Sequence, residues 1–137
     1  MEGRGKKVLV AEDYVSNRNP LVRLLKQAQY DVHLAGDGYE ALERMLKRGV
    51  DAIITDWNMS RLKGADFLSL SRILWPKAPV IIVSAHYAAS PGGLPQGAFA
   101  WINKPYRSEE LLQILRSAIQ IAAYQNRKQS ITAITQP

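Results

Sequence analysis

The 137-residue chain contains no cysteine, which excludes disulfide bonds and thiolate metal sites. It has no apolar run near the roughly 20 residues that a membrane-spanning helix needs. Its basic start, MEGRGKK, is followed only by the short apolar VLVA, not by a secretory segment with a small-residue cleavage site. There are only two histidines, His33 and His86, and both read as surface residues rather than metal ligands. No repeat or low-complexity segment is present. With nothing to direct it elsewhere, we expect a cytoplasmic protein without a membrane role. The length suits one compact domain with a single core.

The net charge of +6 raises nucleic acid or an acidic partner as ligands. The cations are scattered, however, with only small groups at Arg4, Lys6 and Lys7 and at Arg127 and Lys128. No basic stripe with interleaved aromatics and no helix-turn-helix pattern is visible, which argues against direct nucleic-acid binding by this chain.

What the chain does have is alternation. VLVA, YDVHLA, DAIITD, PVIIVSA and FAWIN are short runs with the composition of strands. Between them lie helical periodicities. Leu21, Leu24, Leu25 and Ala28 form one face, with a start at Asn19-Pro20 or, as the alternative, near Ser16. Ala41, Leu42, Met45 and Leu46 form a second, ending at Gly49. Phe67, Leu70 and Leu74 form a third, stopped by Pro76. Leu111, Leu115, Ala118 and Ala122 form the last, with Ser108 as cap and Glu109 and Glu110 in the first turn. The exception is HYAASPGGLPQGA, where Pro91, Gly92, Gly93 and Pro95 oppose the helix that the alternation would place there. The pattern predicts an α/β domain over residues 6–125, doubly wound, with a parallel sheet and a fourth helix shortened or replaced by a loop. Residues 126–137 are polar and are expected to form a frayed or disordered tail.

In a parallel sheet all strands point one way, and ligands bind at their carboxyl ends. The first strand ends at Glu12 and Asp13, the third at Asp56, the fourth at Ser84 and the fifth at Lys104. Taken singly, each has a plain reading as a turn, cap or solvated residue. Trp101 reads equally as core. If the first and third strands are neighbours, three carboxylates, a hydroxyl and an ammonium converge on one edge. Such acids repel one another, and a divalent cation would relieve them. Oxygen ligands without a Cys or His cluster point to Mg²⁺ rather than zinc. With Lys104 and Ser84 these are the parts for phosphoryl chemistry.

These pieces, VLVAED, GYEAL, DAIITDWNM with Gly64 eight residues past Asp56, PVIIVSA and GAFAWINKP, resemble the receiver domain of two-component response regulators in order and spacing. The resemblance covers about Lys6 to Tyr124. It implies a flavodoxin-like five-stranded sheet of order 2-1-3-4-5. It also implies that Asp56 accepts a phosphoryl group from a histidine kinase's phosphohistidine, so the protein is a signalling domain rather than an enzyme. Asp13, Asp56, the Asn58 carbonyl and, through water, Glu12 would hold Mg²⁺. Lys104 would contact the phosphoryl group, aimed by a cis bond to Pro105. Ser84 and Trp101 would form the switch, and Asn58 and His86 would tune the lifetime of the phosphorylated state. The implied partners are a sensor histidine kinase or phosphotransfer protein and a downstream target or output domain, with a homodimer left open. Ser60 replaces the family's usual proline, Trp101 its usual tyrosine or phenylalanine, and Ala88–Gln96 its fourth helix. Asn58 argues against an aspartyl-phosphate phosphatase, which wants an acid there, and the acidic EDYVSN argues against a flavin-phosphate loop. The alternative is a degenerate receiver that binds partners without being phosphorylated.

Overall fold

The computed structural model describes residues 2–85 and 93–135. The elements are β1 (Lys7–Ala11), α1 (Val15–Gln27), β2 (Asp31–Ala35), α2 (Gly38–Arg48), β3 (Ala52–Thr55), α3 (Gly64–Leu74), β4 (Val80–Ser84), β5 (Ala100–Asn103) and α4 (Ser108–Thr135). The five strands form one parallel sheet in the order β2-β1-β3-β4-β5. This is the flavodoxin-like arrangement that the alternation and the resemblance pointed to. Among the described residues no helix stands between β4 and β5. Residues 93–99 form turns, with the Ala98 N–H donating to the Pro95 carbonyl at 3.1 Å. His86 and the expected loop residues from Ala88 to Gly92 lie outside the described residues.

Strand alternation sorts the core into two layers. Leu9 and Ala11 of β1 point to the side where Ala41, Met45, Phe67 and Leu68 pack, so α2 and α3 cover one face. Val8 and Val10 point to the other, against Leu21, Leu25, Leu111 and Leu115, so α1 and α4 cover that one. β3 and β4 are buried along their whole length, which explains why both read as unbroken apolar runs.

The helices correct four expectations. First, α1 begins at Val15, so the Asn19-Pro20 start is wrong and the start near Ser16 is the right one. Pro20 sits inside the helix, where it cannot donate to Ser16; that carbonyl is on an exposed residue and can turn to water. Second, Leu46 is exposed, because the buried stripe of α2 runs Gly38, Ala41, Leu42, Met45, and Leu46 lies one step of about 100° beyond it. Third, Leu70 and Leu74 of α3 are exposed, and the buried stripe is Gly64, Phe67, Leu68, Ser71. Ser71 escapes a hydrophobicity reading because its hydroxyl is satisfied locally, donating to the Leu68 carbonyl at 2.9 Å. Fourth, the helix opens at Ser108 itself, where the Arg107 carbonyl accepts the Leu111 N–H, and it runs on to Thr135 through the segment expected to fray. No Gly or Pro interrupts it, and extending a formed helix costs little. Ser130 and Thr132 turn their hydroxyls back onto the Asn126 and Lys128 carbonyls, both at 3.0 Å. None of the described helices is long and apolar enough to cross a membrane.

Two local devices hold the site's surroundings. Asp37 caps α2, accepting the Glu40 N–H at 2.9 Å and a guanidinium N–H of Arg61 at 2.8 Å. Gly64 lets α3 approach β3: a Cβ there would fall 2.5 Å from the Trp57 carbonyl oxygen and 2.7 Å from its Cα.

Gly64→Ala should lower the unfolding free energy by about 1–3 kcal/mol in urea titration, because the atoms it meets are backbone. Gly38→Ala should cost less, since its Cβ meets only the Leu62 side chain. Asp37→Ala should cost about 1 kcal/mol through the lost cap; Arg61 is mostly exposed and adds little. The Glu40 N–H first, and then Arg61, hold the Asp37 carboxyl below its ordinary 3.8. Its contribution is therefore present above pH 3.8 and is lost as pH falls through the lower folded value. Acid titration of the variant should lack that component.

Candidate functional site

The carboxyl edge of the sheet gathers the polar residues that end the strands. The Asp56 N–H donates to the Ala11 carbonyl at 3.1 Å, which locks the exits of β1 and β3 side by side. Glu12, Asp13 and Asp56 each bring a carboxylate oxygen within 4.8 Å of the others. Glu12 and Asp56 are buried, 5% and 8% exposed, so water does little to screen their repulsion. Lys104 enters from the end of β5. Its amine lies 3.1 Å from Glu12 Oε1 and 3.8 Å from Asp56 Oδ2. The Lys104–Pro105 peptide bond is cis.

Each carboxylate is held differently. Glu12 accepts from Lys104 and, at 3.3 Å, from the Tyr14 N–H. Burial pushes its carboxyl above the usual range; the hydrogen bond from Lys104 opposes this, and the neighbouring Asp56 adds to it. Asp56 Oδ1 accepts a long bond, 3.4 Å, from the Asn58 N–H. Asp13 Oδ2 accepts the Ser60 N–H at 3.0 Å, while Asp13 Oδ1 is buried without a hydrogen-bond partner. A buried anionic oxygen left unpaired is costly. Placed beside two further carboxylates, it fits a hard divalent cation of the Mg²⁺ kind, which takes oxygen ligands.

Ser84 ends β4 and is buried, and its carbonyl accepts the Lys104 N–H at 3.0 Å. Register places it one residue beyond the level of Asp56, since Thr55 pairs with Ile82. Trp101 lies in β5 on the α2–α3 side of the sheet, and its ring packs against that of Trp57, with centroids 5.4 Å apart at 54°. His33 is on the edge strand β2 beside Asp31, away from the acidic cluster.

Sequence reasoning missed two contributors. Asn17, in the first turn of α1, lines the small hollow beneath Glu12, Asp56 and Lys104. A polar residue one turn past the acid pair was the available signal. The other is the Ser60 N–H. A proline at that position would have no N–H to give Asp13, so the departure from the usual pattern adds a tether rather than loosening the loop.

A parallel 2-1-3-4-5 sheet with this acidic edge and a lysine after the last strand defines a class, and residues 8–116 match the response regulator receiver domain family. The chain belongs to that family. It is 33% identical over 115 residues to the response regulator MprA of Mycobacterium leprae, covering 82% of this chain, and it spans about half the length of the mycobacterial relatives it matches (50%). Among solved structures it resembles the chemotaxis protein CheY4 of Vibrio cholerae, with TM-score 0.75 and 32% identity over 83% of this chain and 98% of that one. It also resembles the receiver domain of sensor histidine kinase PA1611 from Pseudomonas aeruginosa, with TM-score 0.79 and 26% identity over 85% of this chain and 98% of that one; a magnesium ion is coordinated in that protein's active-site cleft.

Lys104→Met should destabilise the protein by about 1–3 kcal/mol, because it leaves Glu12 buried beside Asp56 without a cation. Adding Glu12→Gln should recover most of that loss. A double-mutant cycle of denaturant midpoints reads both effects.

Proposed function

We propose that the protein is a phosphoryl-accepting receiver, with Asp56 as the acceptor and a histidine kinase or phosphotransfer protein as donor. The observation that carries the reading is the pairing of a buried, unpartnered Asp13 oxygen with an Asp56 carboxylate that has an ammonium group 3.8 Å away. The first suits a metal ligand and the second suits a group about to gain negative charge.

An Asp56 oxygen attacks phosphorus in line, forming the P–O bond of an acyl phosphate. The P–N bond of the donor phosphohistidine breaks, and its electron pair returns to the imidazole. Lys104, already between Glu12 and Asp56, shifts its ammonium toward the added charge. Asp13 and Asp56, with the Asn58 carbonyl and Glu12 in support, would hold Mg²⁺, which when bound supplies charge neutralisation for the transferring group. The Asn58 N–H and the Thr55 hydroxyl, which donates to the Asp56 carbonyl at 2.9 Å, keep the acceptor loop in place. Ser84 and Trp101 carry the consequence outward. Trp101 packs on Trp57, the residue that follows Asp56, so a shift of that loop reaches β5 through direct ring contact. The degenerate alternative, a binding module that is never phosphorylated, is opposed by the presence together of Asp56, Asp13 and Lys104.

Incubation with a small acyl phosphate and Mg²⁺ should give a hydroxylamine-labile mass gain of one phosphoryl group. Asp56→Asn should abolish it, and Asp13→Asn or chelation of Mg²⁺ should slow it by roughly tenfold or more. Unchanged labelling of Asp56→Asn would move the acceptor elsewhere; no labelling of the wild type under any Mg²⁺ concentration would favour the degenerate reading.

A further inference from the structure

A cleft of ≈ 410 Å³ opens between the C-terminal half of α4 and the turn from α3 into β4. It lies at the amino ends of β4 and β5, where Pro79 and Phe99 line it, whereas Asp56 follows the carboxyl end of β3. In a parallel sheet those are opposite ends, one strand length or roughly 13–17 Å apart. The cleft therefore lies outside the phosphoryl site.

Its apolar surface comes from Phe99, Ile121 and Ala122, with Ala118 buried beneath them. Arg72 and Lys77 stand on its α3 side. Arg72 is fixed there, donating through Nη1 to the Pro76 carbonyl at 2.9 Å and the Ala78 carbonyl at 3.2 Å. Arg127 and Lys128 follow on the same helix but do not line the cleft. The sequence has no acidic residue between Asp66 and Glu109 and none after Glu110. All the lining residues fall within those two stretches, so among the described residues the cleft has two cations, Arg72 and Lys77, and no carboxylate. Ile121 and Tyr124, and farther along Ile131, stay exposed on the same helix.

We propose that this cleft docks an acidic amphipathic helix of a partner protein. Its apolar side chains would seat against Phe99, Ile121 and Ala122, and its carboxylates would face Lys77 and Arg72. Charge complementarity selects this occupant. A second copy pairing cleft to cleft would bring Arg72 and Lys77 against their own equivalents, with no lining carboxylate to answer them. A nucleic-acid backbone would answer the cations but has no apolar side chain to fill the Phe99–Ile121 surface.

The test uses the full chain and a fluorescent helical peptide of about 18 residues, five turns long. The peptide carries leucines along one face and glutamates on the other, and binding is read by anisotropy at physiological salt. A scrambled peptide of the same composition, a duplex DNA and phosphatidylserine vesicles are run beside it. Saturable binding of the two-faced peptide, roughly fivefold or more tighter than the scrambled one, supports the proposal. So does a loss of about fivefold or more in Lys77→Glu, an exposed position, with phosphoryl acceptance at Asp56 unchanged. Ala122→Trp, which fills the cleft, should weaken binding likewise, with far-UV circular dichroism as the folding check. Absence of saturable binding, smaller differences than these, or tighter binding of DNA or vesicles than of the peptide overturns it.

Discussion

Glu12, Asp13 and Asp56 are forced together by the pairing of β1 with β3, and their mutual repulsion is the constraint around which the rest of this edge is arranged. Two of the three are buried, so solvent cannot screen them. Among the described residues Lys104 is the cation that pairs with both Glu12 and Asp56, and it arrives from β5, two strands away from β3 in the sheet. The acidic edge therefore depends on the whole right half of the sheet being in register. Removing negative charge from this edge relieves the fold; adding it, as the proposed phosphorylation of Asp56 would, loads it further. That imbalance is what a receiver can convert into a change elsewhere.

The path for such a change is short. Asp56 is followed by Trp57, whose ring meets Trp101 on β5, and whose carbonyl accepts the Gly64 N–H at the start of α3. The loop after β3 thus touches β5 through a ring and α3 through a backbone bond. Among the described residues no fourth helix stands between β4 and β5. The long α4 crosses the whole height of the sheet and continues past its amino end. It brings Ile121 and Ala122 to the cleft that Lys77 and Phe99 also line, which are far from them in sequence.

Periodicity in the chain was enough to fix five strands, their parallel direction and the side on which a site must form. The reason is that a doubly wound sheet buries its central strands on both faces, and VLVA, AIIT and VIIVS can be little else. The candidate residues were legible for the same reason: in such a sheet the last residue of each strand points to one edge. Helix faces were harder to read. Leu46, Leu70 and Leu74 are apolar and yet exposed, while Gly64 and Ser71 are small or polar and buried, because the stripe is set by which residues meet the sheet rather than by hydropathy alone. The tail was misjudged because polar composition was taken for disorder, although nothing after Ser108 breaks a helix before Thr135.

By itself, then, the sequence determined the alternation of elements, the acids and lysine at strand ends, and the family those residues match; these follow from local periodicity and spacing. Only the tertiary structure decided that Ser60 tethers Asp13, that the second Asp13 oxygen is left buried and unpaired, that Trp57 and Trp101 share a contact, and that Lys77, Phe99 and Ile121 line one cleft. Each of these joins residues from different elements. Their distance is set by strand register and helix packing, and nothing in the spacing along the chain encodes it.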